Sequence, residues 1–313
     1  MSQILNYRRL AAFGVIGLGA VTFLSQCQFG VNGMTDRQIH TVSSFSTKKG
    51  KTVKCSKTMV TRKMATGQFS TISLTGGMKV EYTPYASPMT VRLVAPDNLI
   101  DYIRLSVKKG CLSVEVERGY ECDEKNAPRI LISGEGLANF NLSAASAAYI
   151  TAPFAVAGSM EVNLDGASLL EVRKGVTCER ISLECDGASH ISMENVAVNN
   201  MEMDIDGASG VKMNNVSVAA NVEMEADGAS TVKLTDLTAS FLKARSDDAS
   251  TITLTGTATN VTLEASGAGS IKAEDLKCLR ASTQASGAGS ITCNAESLTK
   301  ISKSEASTIT NMR

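Results

Sequence analysis

The stretch Asp165-Gly166-Ala167-Ser168 returns unchanged as Asp186-Gly187-Ala188-Ser189, Asp206-Gly207-Ala208-Ser209 and Asp227-Gly228-Ala229-Ser230. Looser copies flank it: Ser143-Ala144-Ala145-Ser146 before, and Asp247-Asp248-Ala249-Ser250, Ser266-Gly267-Ala268-Gly269, Ser286-Gly287-Ala288-Gly289 and Ser304-Glu305-Ala306-Ser307 after. The first positions of the nine blocks step by 22, 21, 20, 21, 20, 19, 20 and 18 residues. A period near twenty held over so many copies is the signature of stacked structural repeats.

Around each block the apolar residues recur at fixed offsets, read as minus 3, minus 1, plus 2, plus 5 and plus 7 from its first residue. For Asp165 these are Val162, Leu164, Ala167, Leu170 and Val172; for Asp206 they are Met203, Ile205, Ala208, Val211 and Met213. Alternation within each group is strand periodicity, and the phase slip between plus 2 and plus 5 reads as a corner. Val196 and Val198 begin a third side. Short strands at this spacing bury an apolar face only by stacking on their equivalents in neighbouring repeats. The expected fold is all-β, a right-handed parallel β-helix of about nine coils, on the order of 43 Å long at the usual strand spacing. No repeat contains a ten-residue stretch of helical period, which sets aside the helical solenoids. The plus 2 column is alanine in every coil and is expected on the inside of the corner, where a larger residue such as Phe at position 208 would overpack it. The Gly after the Asp suits a turn position with positive φ.

Outside the coils (141–313) the chain divides into a leader (1–27), a polar linker (28–65) and a β-rich N-terminal cap unit (66–140). Arg8 and Arg9 precede an apolar run from Leu10 to Leu24, the order of a secretory signal peptide. Leu24-Ser25-Gln26-Cys27 resembles the box cut by lipoprotein signal peptidase, which leaves a lipidated Cys27, although Gln26 stands where a small residue is expected. The alternatives are an uncleaved anchor over Leu10 to Val31, long enough to cross a bilayer, or ordinary cleavage. All three place the folded part outside the cytoplasm, with the membrane as first partner. In the cap unit, Ser70 to Leu74, Met78 to Tyr82, Thr90 to Val94 and Cys111 to Glu117 read as strands, the last introduced by a Lys109-Gly110 turn. The polar residues at the last coils (Lys303, Asn311) read as the end of the solenoid.

Lys+Arg and Asp+Glu are both 31 in 313 residues, so no basic footprint for nucleic acid exists, and two His leave little room for imidazole chemistry. Seven cysteines follow Cys27 with no C-x-x-C among them. Cys185 and Cys293 are expected buried on the inward face, and Cys111 with Cys122 is the pair a hairpin could bridge. The sharpest constellation is a column of carboxylates, Asp165, Asp186, Asp206, Asp227 and Asp247. It suits either a Ca²⁺ ladder, since that ion takes carboxylate and carbonyl oxygens, or Asp side chains bonded to the backbone of their own turns. The second is favoured, so no metal, cofactor or catalytic residue is expected. His190, at plus 4, is expected on the solvated outside.

The order Phe69 to Leu74, Gly77 to Tyr82, Val91 to Asn98, Val107 to Val116 and then Gly- and Ala-rich coils resembles the head GIN domain family of auto-transporter adhesins, over about residues 60 to 313. The resemblance implies an exported or lipoprotein-like β-helical protein of a Gram-negative envelope, with no catalytic residues to carry over. Two functions remain open. One is a noncatalytic envelope module, structural or adhesive, whose ligand is a cell-surface protein or glycan. The other is a polysaccharide-binding or polysaccharide-degrading β-helix. Coils of 18 to 22 residues leave no insertion long enough to wall a cleft, which weighs against the enzyme.

Overall fold

The computed structural model describes residues 44–45, 52–64, 67–85, 88–304 and 306–313. The leader, the apolar run and Cys27 lie outside the described residues. From Ser159 onward the chain is a parallel β-solenoid. Each long strand segment, such as His190–Ile205, Gly210–Ala226 and Thr231–Ser246, pairs in parallel with the segments before and after it. About nine turns of chain stack in this way.

The coil starting at Asp186 shows how the sequence closes each turn. Ser189, Ile191 and Met193 are buried on a first side, Val196 and Val198 on a second, and Met201, Met203 and Ile205 on a third. Between them lie three corners: the Asp-Gly-Ala-Ser turn, Asn195 with φ +53°, and Asn199-Asn200. Most length variation between coils falls at corners. Register shifts between Val198 and Asn200 and between Leu234 and Leu237 leave the inward set of those strands intact; in the last coil a shift between Ala281 and Ser282 falls inside the third side, and Ile301, opposite buried Thr283, is exposed. An insertion inside a strand would turn that set to solvent. The interior is one continuous apolar cluster from Phe69 to Ala295.

Two expectations change. Alternation runs unbroken through the Asp-Gly-Ala-Ser turn, because the buried residue there is the Ser at plus 3, not the Ala at plus 2. Ser168, Ser189, Ser209, Ser230 and Ser250 are all at most 2% exposed, whereas Ala188, Ala208, Ala229 and Ala249 face solvent. The phase slip lies one corner later, at Asn195. The alanines do line up along the axis, each amide donating to the preceding turn: Ala188 N–H to the Gly166 carbonyl (2.6 Å), Ala208 to Gly187 (2.7 Å), Ala229 to Gly207 (2.8 Å) and Ala249 to Gly228 (2.8 Å). A phenylalanine at position 208 would therefore stand in water rather than overpack a corner.

The second change concerns the N-terminal segment. Thr71–Leu74 and Lys79–Thr83 flank a Gly76-Gly77 turn and pair in parallel with Asn139–Leu142 and Ala147–Ile150, forming a layer beneath the first recognised coil. The offset rule holds here too, since Ile72, Leu74, Met78, Val80 and Tyr82 are all buried about Thr75. Cys111–Val116 and Arg129–Ser133 add a further parallel layer. Lys109 and Gly110, at φ +50° and +74°, make the expected turn into Cys111–Val116, which pairs antiparallel with Ile103–Lys108. The polar stretch read as linker already carries structure. Met59–Met64 pairs antiparallel with Thr90–Pro96, and Val53–Lys54 pairs in parallel with Tyr120–Glu121. Val53, Val60 and Met64 pack on the core, which holds this otherwise polar segment to the body.

Candidate functional site

The carboxylate column is built by the turn itself. In the first four of these coils Gly follows Asp with positive φ, and its N–H donates to the Asp Oδ1: Gly166 to Asp165 and Gly187 to Asp186 at 2.5 Å, Gly228 to Asp227 at 2.6 Å, and Gly207 to Asp206. Asp247, followed by Asp248 instead of Gly, accepts from Ser266 Oγ and, at 2.6 Å, from Arg245 Nε. The Asp side chains thus bond their own turns, or in the last coil a neighbouring turn and arginine. Among the described residues no group of three or more His, Cys, Asp or Glu stands where it could hold a metal ion.

Beside this column, on the third side, Glu184, Asp204 and Glu225 stack in register, with Arg245 and Glu264 following. Partial burial and then the neighbouring Glu225 and Glu184 carboxylates hold the Asp204 carboxyl above its usual range. The chain answers this repulsion two coils on, where Lys243 pairs with Glu223 at 2.7 Å and Arg245 with Glu225 at 3.7 Å. A shallow depression of about 390 Å³ opens near the other end of this face, lined by Asn141, Asn163, Asp165, Glu184 and Asp186.

Two corners and one strand face carry amide ladders that the block pattern did not single out. Asn215 Nδ2 donates to Asn195 Oδ1 at 2.7 Å, Asn163 to Asn141 at 2.9 Å and Asn221 to Asn200 at 3.1 Å. The sequence signal was an Asn recurring one coil apart. At the third corner the ladder is interrupted by Phe241, 54% exposed, which stacks between Asn221 and Asn260. A groove of about 410 Å³ runs past it. On the first side Tyr149 points outward yet is buried, with Lys79 Nζ 4.7 Å and the Arg173 guanidinium 5.7 Å from its ring centre. Burial, then the Glu171 charge, push its hydroxyl up to about 12.

The cysteines and His190 fall partly as expected. Cys185 and Cys293 are buried, as are Cys178 and Cys278. Burial pushes the Cys185 thiol up to about 12 and those of Cys178 and Cys278 to about 11, so none is a thiolate at neutral pH. The bridge is Cys55–Cys122, not Cys111–Cys122. Cys111 opens a strand whose hairpin partner is Lys108, whereas Cys122 follows the short strand that lies beside Val53–Lys54. His190 is outward but half-buried rather than fully solvated. Its ring occupies the space over Gly210 of the next coil, where a Cβ would come 2.6 Å from Nδ1.

Stacked coils, turn carboxylates bonded to the protein itself and half-exposed polar faces define a β-solenoid that presents surfaces rather than enclosing a cleft. The chain belongs to the family described as "Putative auto-transporter adhesin, head GIN domain", which matches residues 68–237 and 218–312. Its fold is shared with a putative adhesin of Parabacteroides distasonis (TM-score 0.62, 14% identity, 84% of this chain and all of that one). It is likewise shared with a putative adhesin of Parabacteroides merdae (TM-score 0.56, 14% identity, 84% and 100%). A putative lipid binding protein of Parabacteroides distasonis has it too (TM-score 0.55, 16% identity, 83% and 99%). No curated protein matches the chain.

Proposed function

We propose that the chain is a noncatalytic module of the cell envelope, exported and tethered to the membrane through its N-terminus, that acts in adhesion or as a structural surface. The observation that carries this reading is the evenness of the coils. The coils run from 18 to 22 residues, and the largest change at a corner is three residues, between Ala273 and Lys277, so among the described residues of the coils no long loop rises to wall a cleft in which water could be excluded from a substrate. The family and the adhesin-named neighbours support the same reading. The leader supports export, and Cys27 is the residue that would carry a lipid. Labelling cells with a palmitate analogue tests the tether: label on wild type and none on Cys27→Ala supports the lipidated form, and equal label on both overturns it. Incubating the purified ectodomain with envelope and host polysaccharides tests the rest, since turnover of any of them contradicts the noncatalytic reading.

A further inference from the structure

We propose that the groove beside Phe241 is a binding subsite for a short stretch of acidic oligosaccharide. The column through this corner runs Arg180, Asn200, Asn221, Phe241, Asn260, Arg280 and Ser297, one residue per coil. Every member but Phe241 is polar, and Phe241 is the one aromatic residue after residue 155. Its ring packs nothing inward: the buried neighbours on either side are Ala239 and Leu242, and the ring itself is 54% exposed. Folding gains little from an aromatic in that position, because an exposed ring keeps most of its apolar surface in water.

The surroundings have the chemistry that a sugar ring needs. A saccharide presents an apolar C–H face, which stacks on an aromatic ring, and a rim of hydroxyls, which need donors and acceptors at its edge. Phe241 separates Asn221 from Asn260 and so breaks the amide ladder. Among the described residues no hydrogen bond uses Asn221 Oδ1 or Asn260 Nδ2, while their other amide atoms are taken by Asn200 and Arg280. Thr262 and the Glu223–Lys243 pair line the groove beside the ring. The Lys243 charge is matched by Glu223 at 2.7 Å. Arg280 meets only the neutral Asn260 Oδ1, at 3.4 Å, with no carboxylate at ion-pair distance among the described residues. One unmatched guanidinium at the end of the groove favours a sugar that carries a carboxylate. The groove volume of about 410 Å³ is in the range of small-ligand sites, though open along one side.

The inference rests on the noncatalytic reading, and one experiment separates the two. An alginate hexasaccharide, a chain of uronic acids, and neutral maltohexaose are titrated calorimetrically into the ectodomain, its Phe241→Asn variant and its Arg280→Gln variant. Phe241→Asn restores the residue type of its column neighbours and leaves the core untouched, so it keeps the fold. The expected result is binding of the alginate hexasaccharide, weakened about tenfold or more by either substitution, with maltohexaose bound about tenfold more weakly than the uronate chain. Failure of the alginate chain to bind, affinity unchanged by Phe241→Asn, or equal affinity for maltohexaose overturns the assignment. So does self-association in sedimentation velocity that disappears with Phe241→Asn, which would give the ring to a second copy of the chain. If the recovered hexasaccharide is shortened while the isotherm still depends on Phe241, the noncatalytic reading fails and the subsite stands.

Discussion

Replacing Gly187 by Ala tests how closely the turns stack. Gly187 has φ +74°, and a Cβ built on it would lie 2.5 Å from the Gly166 carbonyl oxygen and 3.1 Å from the Gly166 Cα and N. These are backbone atoms of the neighbouring turn, held in place by the 2.6 Å bond from Ala188 N–H to that same carbonyl, so no side chain can swing away to make room. Gly110 supplies the matched control, with the same φ of +74° and nothing within 4 Å of the would-be Cβ. Both substitutions carry the left-handed strain of an L-residue, about 1–2 kcal/mol. Gly187→Ala alone must also push adjacent coils apart, which adds about 1–3 kcal/mol if it behaves as overpacking does elsewhere. Urea midpoints of the two variants and the wild type, followed by circular dichroism and by amide exchange at the turn, measure the difference. Gly187→Ala is expected to be the less stable by at least about 1 kcal/mol, with exchange quickened in the neighbouring turn. Equal destabilisation of the two variants within about 0.5 kcal/mol, the usual error of such comparisons, would refute the close stacking of turns.

Three further outcomes follow from the same geometry. The Cys55–Cys122 bridge closes a 67-residue separation, so the double variant Cys55→Ser/Cys122→Ser is expected to lose about 4 kcal/mol by the chain-entropy relation, read as a lower denaturant midpoint. Asp204 binds its proton more readily folded than unfolded, so its charge weakens the fold once pH rises past the ordinary carboxylate range, and the loss is complete above its raised folded value. Asp204→Asn should therefore stabilise at pH 7 by a few tenths of a kcal/mol, the scale of exposed charge interactions, and this gain should fade below about pH 3.9, the ordinary aspartate value; an equal gain at both pH values would contradict it. Buried Ser230 has no hydrogen-bond partner for its Oγ, whereas Ser250 Oγ donates to the Ala226 carbonyl at 2.8 Å and lies 2.7 Å from Ser246 Oγ. Ser230→Ala is expected to be neutral or slightly stabilising and Ser250→Ala to cost about 1–3 kcal/mol, compared by thermal melts.

Much of the architecture was legible because one inward residue type repeated at fixed offsets. Met203, Ile205, Val211 and Met213 announce a coil without reference to anything else, and their burial is what the alternation demanded. The alanine column misled because Ala is apolar by type. A turn residue whose amide bonds the coil below has its methyl outside, and a buried Ser was discounted as polar although its hydroxyl finds backbone carbonyls, as Ser168 Oγ does at Asp165 (2.8 Å). The layer about Gly76-Gly77 obeyed the offsets but lacked the Asp-Gly-Ala-Ser letters, with Met78 filling the serine place. Its distance in sequence from the next coil hid the period. The disulfide depended on a non-local pairing of Val53–Lys54 with Tyr120–Glu121, and no local pattern encodes such a contact. The Phe241 groove was visible only as one aromatic out of place, since its neighbours Asn221, Asn260 and Arg280 are about a coil apart in sequence and meet only when the coils stack.

Spin labels on the turn alanines test the stacking itself most directly. Ala188, Ala208, Ala229, Ala249, Ala268 and Ala288 face outward, and the buried cysteines are shielded from the reagent, so Cys substituted at chosen pairs in a Cys111→Ser background takes the label. With one coil per strand spacing, the pair at 188 and 249 should lie about 14 Å apart and the pair at 188 and 288 about 24 Å, apart from a common label offset. Double electron–electron resonance and continuous-wave broadening together cover that range. Narrow distances that grow by about 5 Å per coil are the expected result, and distances that are broad or fail to grow with coil number would contradict an in-register solenoid.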